Sequence, residues 1–318
     1  MCWVGIDIGQ ASLDSAASSP APALPRRVPN TDPGIARLVS ALTKLAPTLV
    51  VCEATGVYHR PLLAALVAAN IPVAVANPAQ VAAFRQARLG REKSDHADAR
   101  LLARFAQVHG DDLRRAGPSD PTQTRLRDLV AYRDGLVAEQ TRLRNRQHAN
   151  AWAGEPTVRA WLAADQAAVT ARLAEVDAAI AQLLTELPEA AVLRELTGVG
   201  PRVTAAVLAY LPRGLWGDAK AAAAYAGVHP RREQSGQRDT SRLSKQGHAR
   251  LRRYLYMAAT VALRHDADLA AFHARLMQRG KAHRSATCAI MHKLLRRMMG
   301  RLRAYYAAHH ATPDALAA

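Results

Sequence analysis

The chain has 318 residues, enough for two or three domains that each bury a core of their own. Its 43 Lys and Arg against 26 Asp and Glu leave a formal charge of +17, which argues against an enzyme of small metabolites and points to a polyanionic partner. Cys2, Cys52 and Cys288 are odd in number and have no metal-ligand spacing, which excludes a disulfide framework and a zinc ribbon and fits a cytoplasmic protein. No membrane span is expected, because the most apolar stretch, 64–84, is broken by Asn70, Pro72, Asn77 and Pro78.

In chain order, Trp3–Ile8 reads as a buried strand ending near Asp7, and Gly9-Gln10-Ala11 turns it into a shorter strand near Ser12–Ser18. The Pro-rich 19–33 reads as a loop, and Ile35, Leu38, Val39 and Leu42 have helical spacing. Thr48–Cys52 is a second buried strand with Glu53 at its carboxyl edge. A helix with Leu62, Leu63 and Leu66, a strand at Ile71–Ala76 and a helix at Ala79–Arg88 follow. Strands alternating with helices predict an α/β domain, and sites in such sheets form at the carboxyl ends of strands, where Asp7 and Glu53 fall.

Lys93-Ser94-Asp95-His96-Ala97-Asp98 then sets two carboxylates on one face at the head of an amphipathic run. Asp7, Glu53, Asp95 and Asp98 are together the candidate active site, able to share a divalent cation. Each also has an ordinary reading: Asp7 and Glu53 as caps of neighbouring helices, Asp95 as an N-cap. The basic linker 88–93 is suited to hold a nucleic-acid backbone beside them.

Near Pro118 the pattern changes. Leu126, Leu129, Arg133, Leu136, Gln140 and Leu143, then Leu173, Val176, Ile180, Leu183 and Leu187, follow heptad-like spacing on either side of a break at Trp152–Asp165. This predicts a helical hairpin of coiled-coil character, closing within one chain or between chains. Arg125, Arg127, Arg133, Arg142, Arg144 and Arg146 make its first arm basic, either as a solvated face or as a surface that tracks nucleic acid. Leu196-Thr197-Gly198-Val199-Gly200-Pro201 before the apolar run Val203–Leu211 has the form of a helix-hairpin-helix turn. A short helix at Ala219–Ala226 precedes a long polar loop, Val228–Gly247; helices are expected at Ala249–His265 and Ser285–Ala307.

The ordered Asp, Glu, Asp, Asp set resembles the DEDD transposases of the insertion-sequence 110 (IS110) family. Glu53-Ala54-Thr55-Gly56-Val57-Tyr58, Asn77-Pro78 and Lys93–Ala99 carry that likeness, as do Thr197–Pro201, Ala226–Pro230, Gln234-Ser235-Gly236 and Leu243–Gly247. Related Piv-type DNA invertases share the pattern. Ser94 stands where Thr is more usual and Thr197 where Pro is. The resemblance implies an RNase H-like, RuvC-like catalytic domain at 1–118, a coiled-coil insert at 119–190 and a mainly α-helical transposase domain at 191–318. It implies Mg²⁺ or Mn²⁺ on the four carboxylates and Ser235 as nucleophile, with Ser241 and Ser244 its neighbours in the loop. It also implies donor and target DNA, a guiding bridge RNA, and a homo-oligomer, a dimer or a tetramer on DNA. The rivals are a metal-dependent junction nuclease and an inactive basic nucleic-acid-binding protein. A tyrosine recombinase using Tyr254 or Tyr256, with Arg231 and His248 as helpers, is a weaker alternative.

Overall fold

A computed structural model describes residues 1–53, 56–87, 94–118, 120–235, 238–244 and 247–309, with the backbone alone at 153, 231–235 and 238–242. The chain divides into two units, Met1–Ser119 and Asp120–Ala318.

The first unit is built on a mixed five-stranded sheet. Its strands are β1 (Trp3–Ile8), β2 (Ser12–Ala17), β3 (Arg27–Pro29), β4 (Leu49–Glu53) and β5 (Val73–Ala76), in the order β3-β2-β1-β4-β5. The meander β1-β2-β3 is antiparallel, and β4 and β5 add parallel to β1 through crossovers that carry α1 (Asp32–Leu45) and α2 (Arg60–Ala68). Val4, Ile6 and Ile8 of β1 and Val50 and Cys52 of β4 bury one face against Leu38, Leu42, Leu62 and Leu66 of these helices. The other face receives α4 (Asp95–His109), with α3 (Pro78–Ala87) beside it: Leu102, Phe105 and Ala106 pack on Leu49, Val51 and Ala74. Asn77 Oδ1 accepts from the Ala79 N–H at 2.9 Å at the head of α3. The loop expected at 19–33 contains β3, a strand of three residues whose only apolar side chain pointing into the core is Val28. The linker 88–93 lies outside the described residues.

Among the described residues the second unit is helical apart from one strand pair. Helices α5 (Pro121–Ala153) and α6 (Pro156–Thr185) are joined by Gly154 and Glu155, so the break expected over Trp152–Asp165 is nearly all helix. The reason is local: the Glu155 carboxylate accepts from the Val158 N–H at 3.0 Å, and Pro156 occupies the first helical turn, where its missing N–H costs nothing. The two helices are antiparallel within one chain. Arg133 donates to Asp177 at 2.5 Å, Gln140 to Thr170 at 3.2 Å and Gln147 to the Leu162 carbonyl at 2.9 Å, the partner falling as the donor rises.

The base of α5 belongs to the core of the following helices. Leu126 and Val130 are buried with Val203, Val207 and Leu208, and Gln123 donates to the carbonyls of Leu208 and Leu211 at 2.7 and 3.1 Å. Those helices are α7 (Pro188–Arg194), α8 (Pro201–Tyr210), α9 (Ala219–Ala226), α10 (Ala249–His265), α11 (Ala267–Gln278) and α12 (His283–His309). The long loop expected at Val228–Gly247 is instead largely a β-hairpin, β6 (Pro230–Ser235) paired antiparallel with β7 (Arg238–Leu243). Its sequence lacks the apolar alternation by which a strand is read, and main-chain pairing supplies the order. Among the described residues no helix is long and apolar enough to cross a membrane.

Candidate active site

β1 and β4 bring Asp7 and Glu53 together by register. Ile6 pairs with Cys52, so the next residue on each strand is Asp7 and Glu53. Side chains alternate along a strand, and Val4, Ile6, Val50 and Cys52 occupy the α1–α2 face, so Asp7 and Glu53 share the α4 face. Both are half-buried.

Gly5 determines how close α4 comes. A Cβ there would lie 2.1 Å from the Ala99 carbonyl oxygen and 2.3 Å from the Ala103 nitrogen, so only glycine lets the helix backbone rest on β1. The first turn of α4, with Asp95 and Asp98, is thereby set toward the end of β1 that carries Asp7. Ser94 is the N-cap, its hydroxyl accepting from the Ala97 N–H at 3.2 Å, so Asp95 is the first helical residue and not the cap considered for it. Both acids stand in the first turn, where the helix dipole favours negative charge.

The Asp7 carboxyl reports the crowding. Burial first, then the charges of Asp98, Asp95, Asp14 and Glu53, push its pKa from the ordinary 3.8 up to about 6. Asp14 was not legible in the sequence. It is 5% exposed on β2, directly opposite Asp7 in the antiparallel register, and the turn at Gly9-Gln10-Ala11 was the only signal that pointed there.

Two arginines, also unforeseen, neutralise part of this charge. Arg27 on β3 pairs with Asp14 at 3.3 Å and Asp95 at 3.2 Å, and Arg85 on α3 pairs with Asp98 at 2.9 Å. Among the described residues no group of three or more His, Cys, Asp or Glu side chains is arranged to hold a metal ion. The expected ligand set is thus gathered on one face without forming a closed cage, with Asp95 and Asp98 each paired to an arginine. Asn30 donates to the Gly9 carbonyl at 2.9 Å and the Tyr58 carbonyl at 3.3 Å, fastening the loops at these strand ends.

In the second unit, Ser235 ends β6 and pairs with Arg238, the last pair of the ladder at that end, whereas Ser241 pairs with Arg232 midway along. Ser244 is 9% exposed and its N–H donates to the His229 carbonyl at 3.1 Å. The tyrosine alternative loses its support at Tyr254. Tyr254 is buried and donates to Asp134 at 2.8 Å, and burial together with that carboxylate pushes its pKa up to about 12. His248 caps α10, its Nδ1 accepting from the Leu251 N–H at 3.2 Å. Burial, then Arg250, Arg127 and Arg252, pull its pKa down to about 4. The Leu196–Pro201 turn is seated on α10 through Gly198, which has a φ of 84° and whose Cβ would meet the Ala258 carbonyl oxygen at 2.5 Å.

Two family models match the chain. One, described as a transposase and built on IS110 DEDD proteins, covers residues 4–150. The other, described as a transposase of the IS116/IS110/IS902 family, covers residues 190–274. A pilin gene-inverting protein of Moraxella lacunata is 28% identical over 259 residues, spanning 77% of this chain and 77% of that protein, and its Moraxella bovis counterpart matches equally.

Proposed function

This chain belongs to the IS110 family of DEDD transposases, and from that premise we propose that it cuts and rejoins the DNA of a mobile element through Ser235. Asp7, Glu53, Asp95 and Asp98 are the proposed ligands of Mg²⁺ or Mn²⁺, and a bridge RNA is the proposed guide. The observation that carries this reading is the gathering of four acidic residues on one face of a sheet, where burial, and then the charges of Asp98, Asp95, Asp14 and Glu53, raise the Asp7 pKa to about 6. The five-stranded mixed sheet supports the RNase H-like, RuvC-like reading of 1–118. A coiled-coil domain at 119–190 and a transposase domain at 191–318 are read onto the second unit.

The donor set suits a hard divalent cation. It is all carboxylate oxygen, with no thiol or imidazole required. Such a cation, when bound, supplies charge neutralisation at a reacting phosphate. Asp95 and Asp98 would turn from Arg27 and Arg85 to reach it, and the released guanidiniums would then face the phosphate backbone, which they suit as bidentate donors.

Ser235 contributes the bond-making atom. Its Oγ attacks a DNA phosphorus, the Oγ–P bond forms as the P–O bond to the sugar breaks, and the sugar oxygen leaves with a proton. The phosphoserine ester conserves the bond for rejoining, which hydrolysis would not. The pilin gene-inverting relatives are named for DNA inversion, and breaking and rejoining strands is the chemistry that inversion also requires. A homo-oligomer lets the carboxylates of one protomer serve the Ser235 of another. The test is exchange between donor and target DNA with and without divalent metal and the RNA encoded at the element's end. Exchange that needs both is expected; metal-dependent cutting with no rejoining would instead support a junction nuclease.

A further inference from the structure

A cavity of about 390 Å³ lies between α11, α12 and the base of the β6–β7 hairpin. Val228, Leu243, Phe272 and Ala289 give it an apolar floor, and Lys281, Lys293 and Arg296 stand around it. On α12 the lining positions Ser285, Cys288, Ala289, His292, Lys293 and Arg296 follow helical spacing. The residues near the helix start are small and leave the space open, while those toward its end are basic.

Among the described residues no carboxylate pairs with Lys281, Lys293 or Arg296, whereas neighbouring Arg297 is held by Asp266 at 2.5 Å and Asp268 at 3.7 Å. Helix α12 contains no Asp or Glu at all. The Lys293 ammonium sits 4.4 Å from the centre of the Phe272 ring, which fixes both at the mouth. His292 also lines the cavity; its pKa is lowered by burial, then by Arg296 and His229, and its ring nitrogens can hydrogen-bond a polar edge.

An apolar slot with an imidazole beside it, and at its mouth cations that no carboxylate among the described residues pairs with, suits a flat heterocycle attached to phosphate. We propose that the cavity binds one unstacked nucleotide of a single strand, base inward and phosphate on Lys281 and Arg296. A stacked, paired base could not enter. This rests on the nucleic-acid reading above and extends it. Ser235 lies five residues along β6 from Pro230, which lines the cavity, about 17 Å at the rise of a strand. A strand held here would reach Ser235 within about five nucleotides at duplex spacing.

The test uses the full chain and two short probes, a strand of abasic sites and the same strand carrying a single base, each made as DNA and as RNA. The base should tighten binding to the wild type about tenfold, the scale of one base on an aromatic platform. Ala289→Trp, which fills the cavity, should remove that gain. Lys281→Ala with Arg296→Ala changes two exposed residues, so it leaves the fold intact. It should weaken both probes and lower the slope of log affinity against log salt by about 0.7 per cation. The DNA and RNA arms show which strand the site takes. A single base with no effect on the wild type, or an equal effect in Ala289→Trp, would overturn the cavity proposal while leaving the nucleic-acid reading standing. A wild type that binds no natural-sequence strand or duplex would overturn both.

Discussion

Replacing Asp7 by Asn tests the electrostatics of the acidic face. A carboxyl that ionises near about 6 instead of 3.8 is costly to charge in the folded state. At about 1.4 kcal/mol per pH unit, the cost approaches 3 kcal/mol, and we take about 1–3 kcal/mol because neighbouring groups relax. The sign follows from proton linkage: between pH 4 and 6 the folded state binds the proton more tightly than the unfolded, so wild-type stability falls as pH rises through that window and stays lowered above it. Asp7→Asn should therefore be more stable than the wild type at pH 7.5, and the difference should vanish below about pH 4. Amide hydrogen exchange of peptides covering β1 and β4 reads this locally. The variant should exchange about 10–100-fold more slowly at neutral pH, since 1.4 kcal/mol is a factor of ten. Mg²⁺ should slow exchange in the wild type and have little effect in the variant. A variant equal to or less stable than the wild type at pH 7.5, or a difference undiminished at pH 4, would refute the argument from burial and crowding.

Other perturbations probe other parts. Gly5→Ala places a Cβ against the backbone of α4, and overpacking of this kind costs about 1–3 kcal/mol; loss of stability in urea together with recombination is expected, and a stable, active variant would count against the close approach. Reversing the exposed charges Arg142, Arg144 and Arg146 should weaken nucleic-acid binding and flatten its salt dependence in a titration from low to high salt; affinity independent of salt would contradict a phosphate-tracking arm. Light scattering with nucleic acid bound should give a dimer or larger, and a monomer would remove the shared-site arrangement.

The sheet that carries the acidic residues was legible because its parts carry strong local signals. β1 and β4 are apolar runs that end in an acid, and α4 begins at a Ser that caps it. Which face Asp7 and Glu53 share depends on the register between strands far apart in sequence, and only the fold supplies that. Asp14, Arg27 and Arg85 escaped notice because one buried acid and two solitary arginines have no pattern of their own; their meaning comes from what the sheet sets beside them. The β6–β7 hairpin was hidden for the opposite reason. Arg231-Arg232-Glu233-Gln234 and Arg238-Asp239-Thr240-Ser241-Arg242 carry no hydrophobic alternation, so nothing distinguishes them from a polar loop before main-chain pairing is seen. The head of α6 was missed because Gly154 and Pro156 read as breakers, although Pro156 in fact opens the helix.

The central claim, that Ser235 exchanges strands covalently, is tested most directly by denaturing electrophoresis of labelled donor DNA after incubation with the protein, guide RNA and Mg²⁺. Wild type should give a protein-linked band that protease shifts, and Ser235→Ala should give none while still folding and binding nucleic acid. Asp95→Ala should also give none. A covalent band that survives in Ser235→Ala, or free cut ends with no covalent band in the wild type, would contradict the account.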